Sequence, residues 1–219
     1  NSIIAERYKK MGIVTEEQII VLGSSRFCDE WIYKLNKILP KVKLPKPPPK
    51  ILRVVILLTK TKFNVNRLEL IRTIQYLSQF PDINIIVKMH PRSKRFDESF
   101  SKNVSVLKNE FHTPILISWA DVILFTGSSA MLDSLKKDVP ALYLKYIHAN
   151  KLLSENYFDS WDVNCRDELR DFIWAFKNDK KTRTYSLTDK ETYCKNTLEP
   201  KGKDVLKLYV NMLNGFMQE

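Results

Sequence analysis

A chain of 219 residues, 44% apolar and 11% aromatic, is long enough for one sizeable core or a core with a short appendage, and its composition excludes extended disorder. A formal net charge of +11, from 36 Lys and Arg against 25 Asp and Glu, attracts phosphates of every kind. It leaves nucleic acid, anionic lipid and nucleotide diphosphates open, beside a merely solvated lysine-rich surface.

The three cysteines, Cys28, Cys165 and Cys194, are odd in number and widely spaced, without a CxxC pair. This argues against a disulfide framework and against a zinc site, and it predicts reduced thiols in a cytoplasmic protein. Ile3-Ile-Ala5 is followed at once by Glu6, Arg7, Lys9 and Lys10, so a signal peptide is not expected. No apolar run approaches the length of a membrane span, and any membrane contact is expected to be peripheral, at the inner face.

In chain order, residues 1–11 predict a helix stopped by Gly12. Ile19–Leu22 predicts a short buried strand leading into Gly23-Ser-Ser-Arg26, and a helix through Trp31, Leu35 and Ile38 follows. Pro40 to Pro49 carries five prolines and predicts an extended linker, because proline blocks both helix and sheet hydrogen bonding. The chain is therefore divided at this linker, into residues 1–49, which end in it, and a domain over residues 50–219.

Beyond the linker, strands and helices alternate. Strands are expected at Ile51–Leu58, Ile83–Val87, Val104–Leu107, Val122–Phe125 and around Ala141–Leu144. Between them, Leu68, Ile71, Ile74 and Leu77 mark one buried helix face, Thr113-Pro114 marks a helix start with Thr as cap, and a helix is expected from about Ser129 to Lys137. Later helices are expected over Arg166–Phe176 and Asp204–Leu213. The fold class that follows is α/β: a Rossmann-like parallel sheet with helices on both faces.

Ligands of such sheets sit beyond the carboxyl ends of the strands, so the residues there are the candidates. They are Arg26 after Ile19–Leu22, Thr59 and Lys60 (with Thr61 and Lys62) after Ile51–Leu58, Lys88-Met-His90-Pro-Arg92 at the end of Ile83–Val87, and Thr126-Gly127-Ser128-Ser129 after Val122–Phe125. These ends are rich in hydroxyls and cations and poor in carboxylates, the chemistry of an anion site. Gly127 allows a tight strand-to-helix turn whose amides, with Ser128 and Ser129, suit a phosphate; the plain alternative is that a serine caps the helix. His90 can donate to a phosphate in either tautomer, with Lys88 and Arg92 supplying charge; the plain alternative is a basic surface loop. Asp133, one turn into the next helix, either accepts from ribose hydroxyls or is a favourable first-turn charge.

Other chemistries lack their signatures. There is no GxxxxGK[ST], no GxGxxG and no GxSxG. His90, His112 and His148 lack metal-ligand spacing, so no metal is expected, and without GxGxxG no dinucleotide cofactor is expected either. Lys94 and Arg95 with Phe96 come without a nucleic-acid-binding signature, and no nucleic-acid partner is expected.

Ile85-Ile-Val-Lys-Met-His-Pro-Arg92 resembles the "HP" motif of bacterial sialyltransferases, capsule Kdo transferases and CDP-glycerol glycerophosphotransferases. Trp119 to Asp133 resembles their "SS" segment, Val139-Pro-Ala-Leu-Tyr-Leu144 the strand after it, and Val21-Leu-Gly-Ser-Ser-Arg-Phe27 the "GxPR" segment at the domain junction. Pro200-Lys-Gly-Lys-Asp204 and the last helix resemble their tail. Two departures stand out: Ser25 in place of a usual proline, and Lys137-Asp138 in place of a helix-ending glycine.

The resemblance implies the C-terminal, donor-binding half of a GT-B fold, without a metal. It implies that His90, Ser128 and Ser129 contact the donor phosphates and that Asp133 meets the ribose. It favours a CMP- or CDP-linked donor over UDP, and a glycosyltransferase or glycerophosphotransferase of capsule or other surface polysaccharide. A saccharide or lipid-linked acceptor would be held by an N-terminal domain, which also brings the catalytic base in such enzymes; no catalytic residue is therefore assigned. The chain by itself is expected to be incomplete as an enzyme. Two alternatives remain, a non-catalytic nucleotide- or partner-binding module and a relative of nucleotide-sugar epimerases, because fold alone does not separate them.

Overall fold

A computed structural model describes residues 2–60, 64–93, 98–107, 111–150, 152, 157–199, 202 and 204–217. The chain divides into two compact units, residues 41–185 and residues 1–40 with 186–219. The division falls at the start of the proline-rich segment, and the last 34 residues group with the N-terminal segment and not with the sheet.

The larger unit holds β1 (Leu52–Leu57), α3 (Arg67–Ser78), β2 (Ile83–Lys88), β3 (Val104–Leu107), α4 (Thr113–Trp119), β4 (Val122–Phe125), α5 (Met131–Lys136), β5 (Ala141–Leu144), β6 (Asp162–Val163) and α6 (Arg166–Asn178). Among the described residues its six strands form one open parallel sheet in the order β3-β2-β1-β4-β5-β6. The register is direct: Leu57 lies beside Lys88 on one side and Phe125 on the other.

The β-branched runs become strands because both their faces are buried. Leu52, Val54, Ile56, Ile83, Ile85, Val87, Val122, Leu124, Leu142 and Leu144 form one layer with Leu70, Ile74 and Leu77 of α3 and Leu169, Ile173 and Phe176 of α6. The alternate residues Val55, Leu57, Ile86, Ile123, Phe125, Ala141 and Tyr143 are buried on the other face, where α4 packs on β1 and α5 on β4 and β5. Each such Val, Leu, Ile or Phe side chain contributes about 1.5–3 kcal/mol through burial. Asn66 caps α3, its Oδ1 accepting from the amide of Glu69 at 3.1 Å.

The amino ends of β1 and β4 are locked by charge. Asp121, with its side chain 7% exposed, accepts from Arg53 Nη2 at 2.7 Å and from Lys180 Nζ at 2.8 Å. Burial pushes its carboxyl up, but the hydrogen bonds from Arg53 and Lys180 outweigh this and hold it below the usual carboxylate value. The proline-rich segment has no regular structure and is tied down here, Trp119 Nε1 donating to the carbonyl of Pro45 at 2.7 Å.

The smaller unit contains α1 (Ser2–Lys10), α2 (Asp29–Ile38), α7 (Leu187–Tyr193), a π-helical turn (Cys194–Leu198) and α8 (Val205–Phe216). Gly12, at φ +66°, ends α1 as expected, its amide turning back to the carbonyl of Lys9 at 2.9 Å. Ile19–Leu22 has no regular structure and is not a strand. The segment is instead anchored just beyond, where the amide of Ser24 donates to the carbonyl of Leu198 at 2.8 Å and Tyr209 Oη to that of Gly23 at 3.1 Å. No helix among the described residues is long and apolar enough to cross a membrane.

Candidate functional site at the carboxyl ends of the strands

The chain runs from β1 through α3 to β2 on one side and from β4 through α5 to β5 on the other. The two connections diverge between β1 and β4, and in open sheets such a divergence is where a ligand crevice forms, at the carboxyl ends of the strands. Across it the amide of Thr126 donates to the carbonyl of Leu57 and the amide of Thr59 donates to Thr126 Oγ1, both at 3.2 Å. Thr126 is fully buried, so its hydroxyl fastens the two strands together.

The strand ends that carry His90 and Ser129, both candidates for the phosphates, are not adjacent. β2 and β4 flank β1, so Thr59 and Lys60 stand between them in sheet order. All three ends still share one edge, because the strands are parallel. Thr61 and Lys62 lie outside the described residues, as do Lys94, Arg95 and Phe96.

Lys88 ends β2 and is 7% exposed. His90 follows in a turn closed by the amide of Ser93, which donates to the carbonyl of His90 at 2.9 Å. The amide of Arg92 donates to His90 Nδ1 at 3.1 Å. With Nδ1 accepting, the hydrogen-bond geometry assigns the proton of the neutral ring to Nε2. Burial lowers the pKa of His90, and the positive charges of Lys60 and Arg92 lower it further. An anion placed among these three groups would reverse the last two effects.

Gly127 adopts φ +75° and turns the chain out of β4. α5 begins at Met131, two residues later than expected, so Ser128 and Ser129 lie in the turn before the helix. Ser128 Oγ accepts from the amide of Ala130 at 3.3 Å, and the carbonyls of Ser128 and Ser129 accept from Met131 and Leu132, each at 3.1 Å. The tight i to i+3 bonds delay the helix. Among the described residues nothing accepts from the amides of Gly127, Ser128 and Ser129. Three successive donors on one turn suit an anion.

Asp133 is 5% exposed in the first turn of α5. Burial lowers the pKa of Lys137, and the charge of Asp133 opposes that shift. The ammonium of Lys137 in turn donates to the carbonyl of Pro114 at 2.8 Å and to Ser118 Oγ at 2.7 Å, both on α4. Arg26 belongs to the other unit, where it lies over the Phe27 ring, 5.1 Å from its centroid. With Ile19–Leu22 outside the sheet, Arg26 does not follow a strand.

In the sequence His148 stands out only as a candidate metal ligand, and its spacing does not fit that role. The structure seats it on the Gly127 turn, where a Cβ at residue 127 would stand 2.4 Å from His148 Cε1. The available signal was a histidine four residues beyond the strand that neighbours β4. No group of three or more His, Cys, Asp or Glu among the described residues is placed to hold a metal. A cleft of about 860 Å³ lies at the opposite, amino edge of the sheet, between the proline-rich segment and Arg53, Trp119 and Lys180.

No family model matches this sequence, and no curated protein matches it. Solved structures do share its fold. The spinosyn rhamnosyltransferase SpnG superposes with a TM-score of 0.56 at 10% identity, over 78% of this chain and 48% of that one. The UDP-GlcNAc 2-epimerase of Methanocaldococcus jannaschii, in complex with UDP-GlcNAc and UDP, gives 0.54 at 14% identity, over 88% and 58%. The spinosyn forosaminyltransferase SpnP gives 0.51 at 16% identity, over 82% and 48%. The present chain thus spans about half the length of these proteins, and at such identities the likeness establishes the fold: an open, Rossmann-like parallel α/β sheet.

Proposed function

We propose that this chain is the nucleotide-sugar-binding half of a GT-B transferase. One observation carries the reading. Lys60, Lys88 and His90 come to the same sheet edge as the amides of Gly127, Ser128 and Ser129, at the point where the chain connections diverge. A diphosphate there receives backbone donors from one side of the crevice and an Nε2–H donor with fixed cations from the other. The same groups favour transfer, because the departing nucleotide gains negative charge as its bond to the transferred group breaks. Arg92 adds charge at the rim.

Within this reading the donor is CMP- or CDP-linked and the product is surface polysaccharide, on the strength of the motifs at 85–92 and 119–133. The ribose falls to Asp133. The acceptor, a saccharide or a lipid-linked one, is held by a second domain, at the cytoplasmic face of the membrane.

Titration calorimetry with CMP, CDP and UDP tests the reading. Charge-assisted hydrogen bonds contribute about 1.5–3 kcal/mol, so His90→Ala weakens CDP binding by about 10- to 100-fold. Ser129→Ala costs less, about 1 kcal/mol, because the amides remain. Unchanged CDP affinity in His90→Ala would remove the phosphate role. An epimerase-type activity is the second reading, favoured by the 88% of this chain that superposes on the UDP-GlcNAc 2-epimerase. Conversion of free UDP-GlcNAc by the full-length protein would select it.

A further inference from the structure

His148 closes the turn after β5 and is 5% exposed. Its backbone pairs with Val65 in an isolated antiparallel bridge. The amide of Asn66 donates to the carbonyl of Ile147 at 2.8 Å, that of Ala149 to Asn64 at 3.1 Å, and Asn64 Nδ2 to Asn150 Oδ1 at 2.6 Å. The loop after β5 is thereby tied to the loop before α3, although β4 separates β5 from β1 in the sheet. This bracing holds the imidazole over the exit of β4, with Nε2 2.8 Å from where a Cβ of residue 127 would stand.

The hydrogen bonds of the ring assign its proton. Tyr143 Oη lies 2.7 Å from His148 Nδ1, 3.0 Å from the carbonyl of His148 and 2.9 Å from that of Asn150. The two carbonyls only accept, and the phenol has a single proton to give them. Nδ1–H therefore donates to the phenol oxygen, and the lone pair of the ring is on Nε2. Burial lowers the pKa of His148, which keeps this neutral form. Nε2 has no hydrogen-bond partner among the described residues. A buried ring is thus held at one nitrogen and unengaged at the other, on the turn that carries the three available amides.

A neutral acceptor there does not suit a phosphate oxygen, which is itself an acceptor. It suits an O–H group attached close to the phosphates. We infer that Nε2 of His148 accepts a hydrogen bond from a ligand hydroxyl flanking the diphosphate, on the ribose or on the transferred group, and that Tyr143 positions the ring for it. The inference rests on the reading of this edge as a nucleotide-linked donor site.

The test is calorimetric titration of pyrophosphate, CDP, 2′,3′-dideoxy-CDP and CDP-glycerol into wild type, His148→Ala, Tyr143→Phe and His90→Ala. One neutral hydrogen bond predicts that His148→Ala loses about five- to tenfold for hydroxyl-bearing ligands and nothing for pyrophosphate. His90→Ala, by contrast, loses affinity for both. A loss on CDP that is absent on the dideoxy compound assigns the ribose; a loss on CDP-glycerol alone assigns the transferred group. Tyr143→Phe shows a smaller loss on the same ligands only. Equal affinities throughout, or an equal loss on pyrophosphate, overturn the inference, since the ring would then only shape the turn. If His148→Ala does not fold, the ligand series on Tyr143→Phe decides by the same criteria. A wild type that binds none of the four ligands, pyrophosphate included, defeats the donor-site reading itself, and this inference with it.

Discussion

Gly127 is constrained twice. Its φ of +75° lies in the left-handed region, and the space beside its Cα is filled by the His148 ring. Any L-side chain at 127 meets about 1–2 kcal/mol of backbone strain, and an alanine Cβ would also stand 2.4 Å from Cε1, so the ring must move. Gly127→Ala is therefore expected to lose about 2 kcal/mol or more in urea unfolding. In a His148→Ala background only the backbone cost remains, giving a coupling of about 1 kcal/mol. Strictly additive losses would show that ring and turn do not press on each other. The need for a turn glycine was legible in the sequence from its place between an apolar run and a helix. The ring was not, because residues 127 and 148 meet only once β4 and β5 are paired. Ser128 shows the same limit in miniature: its hydroxyl engages the amide of Ala130, as a local bond can be read, while the later helix start follows from the turn geometry.

At the scale of elements, β1, β4 and the end of α6 meet at Asp121. The carboxylate receives Arg53 Nε at 3.2 Å, Arg53 Nη2 at 2.7 Å, the Arg53 amide at 2.9 Å and Lys180 Nζ at 2.8 Å. Both cations are 36% exposed at the side chain, so water takes over part of their solvation when the anion is removed. Asp121→Asn is expected to cost about 1–2 kcal/mol at pH 7, the low end for charged hydrogen bonds. The folded carboxyl titrates below its unfolded value. Its contribution is then present above the unfolded pKa, near 3.9, and is lost as pH falls through the folded one. Denaturation of the two proteins should converge in that acid window; a constant difference down to pH 2 would mean the charge contributes nothing. Val122–Phe125, buried on both faces, forms as read, and so does the partly exposed edge strand Val104–Leu107. Ile19–Leu22 misled because an apolar run needs a ladder partner, and Ile20 is 55% exposed. β6 escaped because Asp162–Val163 is too short to show a pattern and exists only through its pairing with β5. The cap of α4 shifted by one residue, to His112, although Pro114 sits in the first turn as expected.

Over the whole molecule, the formal charge of +11 and the anion-seeking sheet edge make different claims about salt. A general basic surface binds duplex DNA by releasing many counterions, and affinity then falls about 10³- to 10⁵-fold between 50 and 200 mM salt when six to ten phosphates are contacted. A built diphosphate site neutralises two phosphates at most, and hydrogen bonds partly withdrawn from water are screened less than exposed charges. CDP affinity should therefore drop by no more than about tenfold over the same range. It should also keep its dependence on His90 at 200 mM. A short DNA duplex titrated in parallel should bind weakly and vanish at the higher salt. The reverse pattern, a duplex still bound at 200 mM with a steep salt slope and CDP not bound at either, would place the function in the surface charge. The convergence of strand ends at the β1–β4 divergence would then be a property of the fold without a nucleotide to serve.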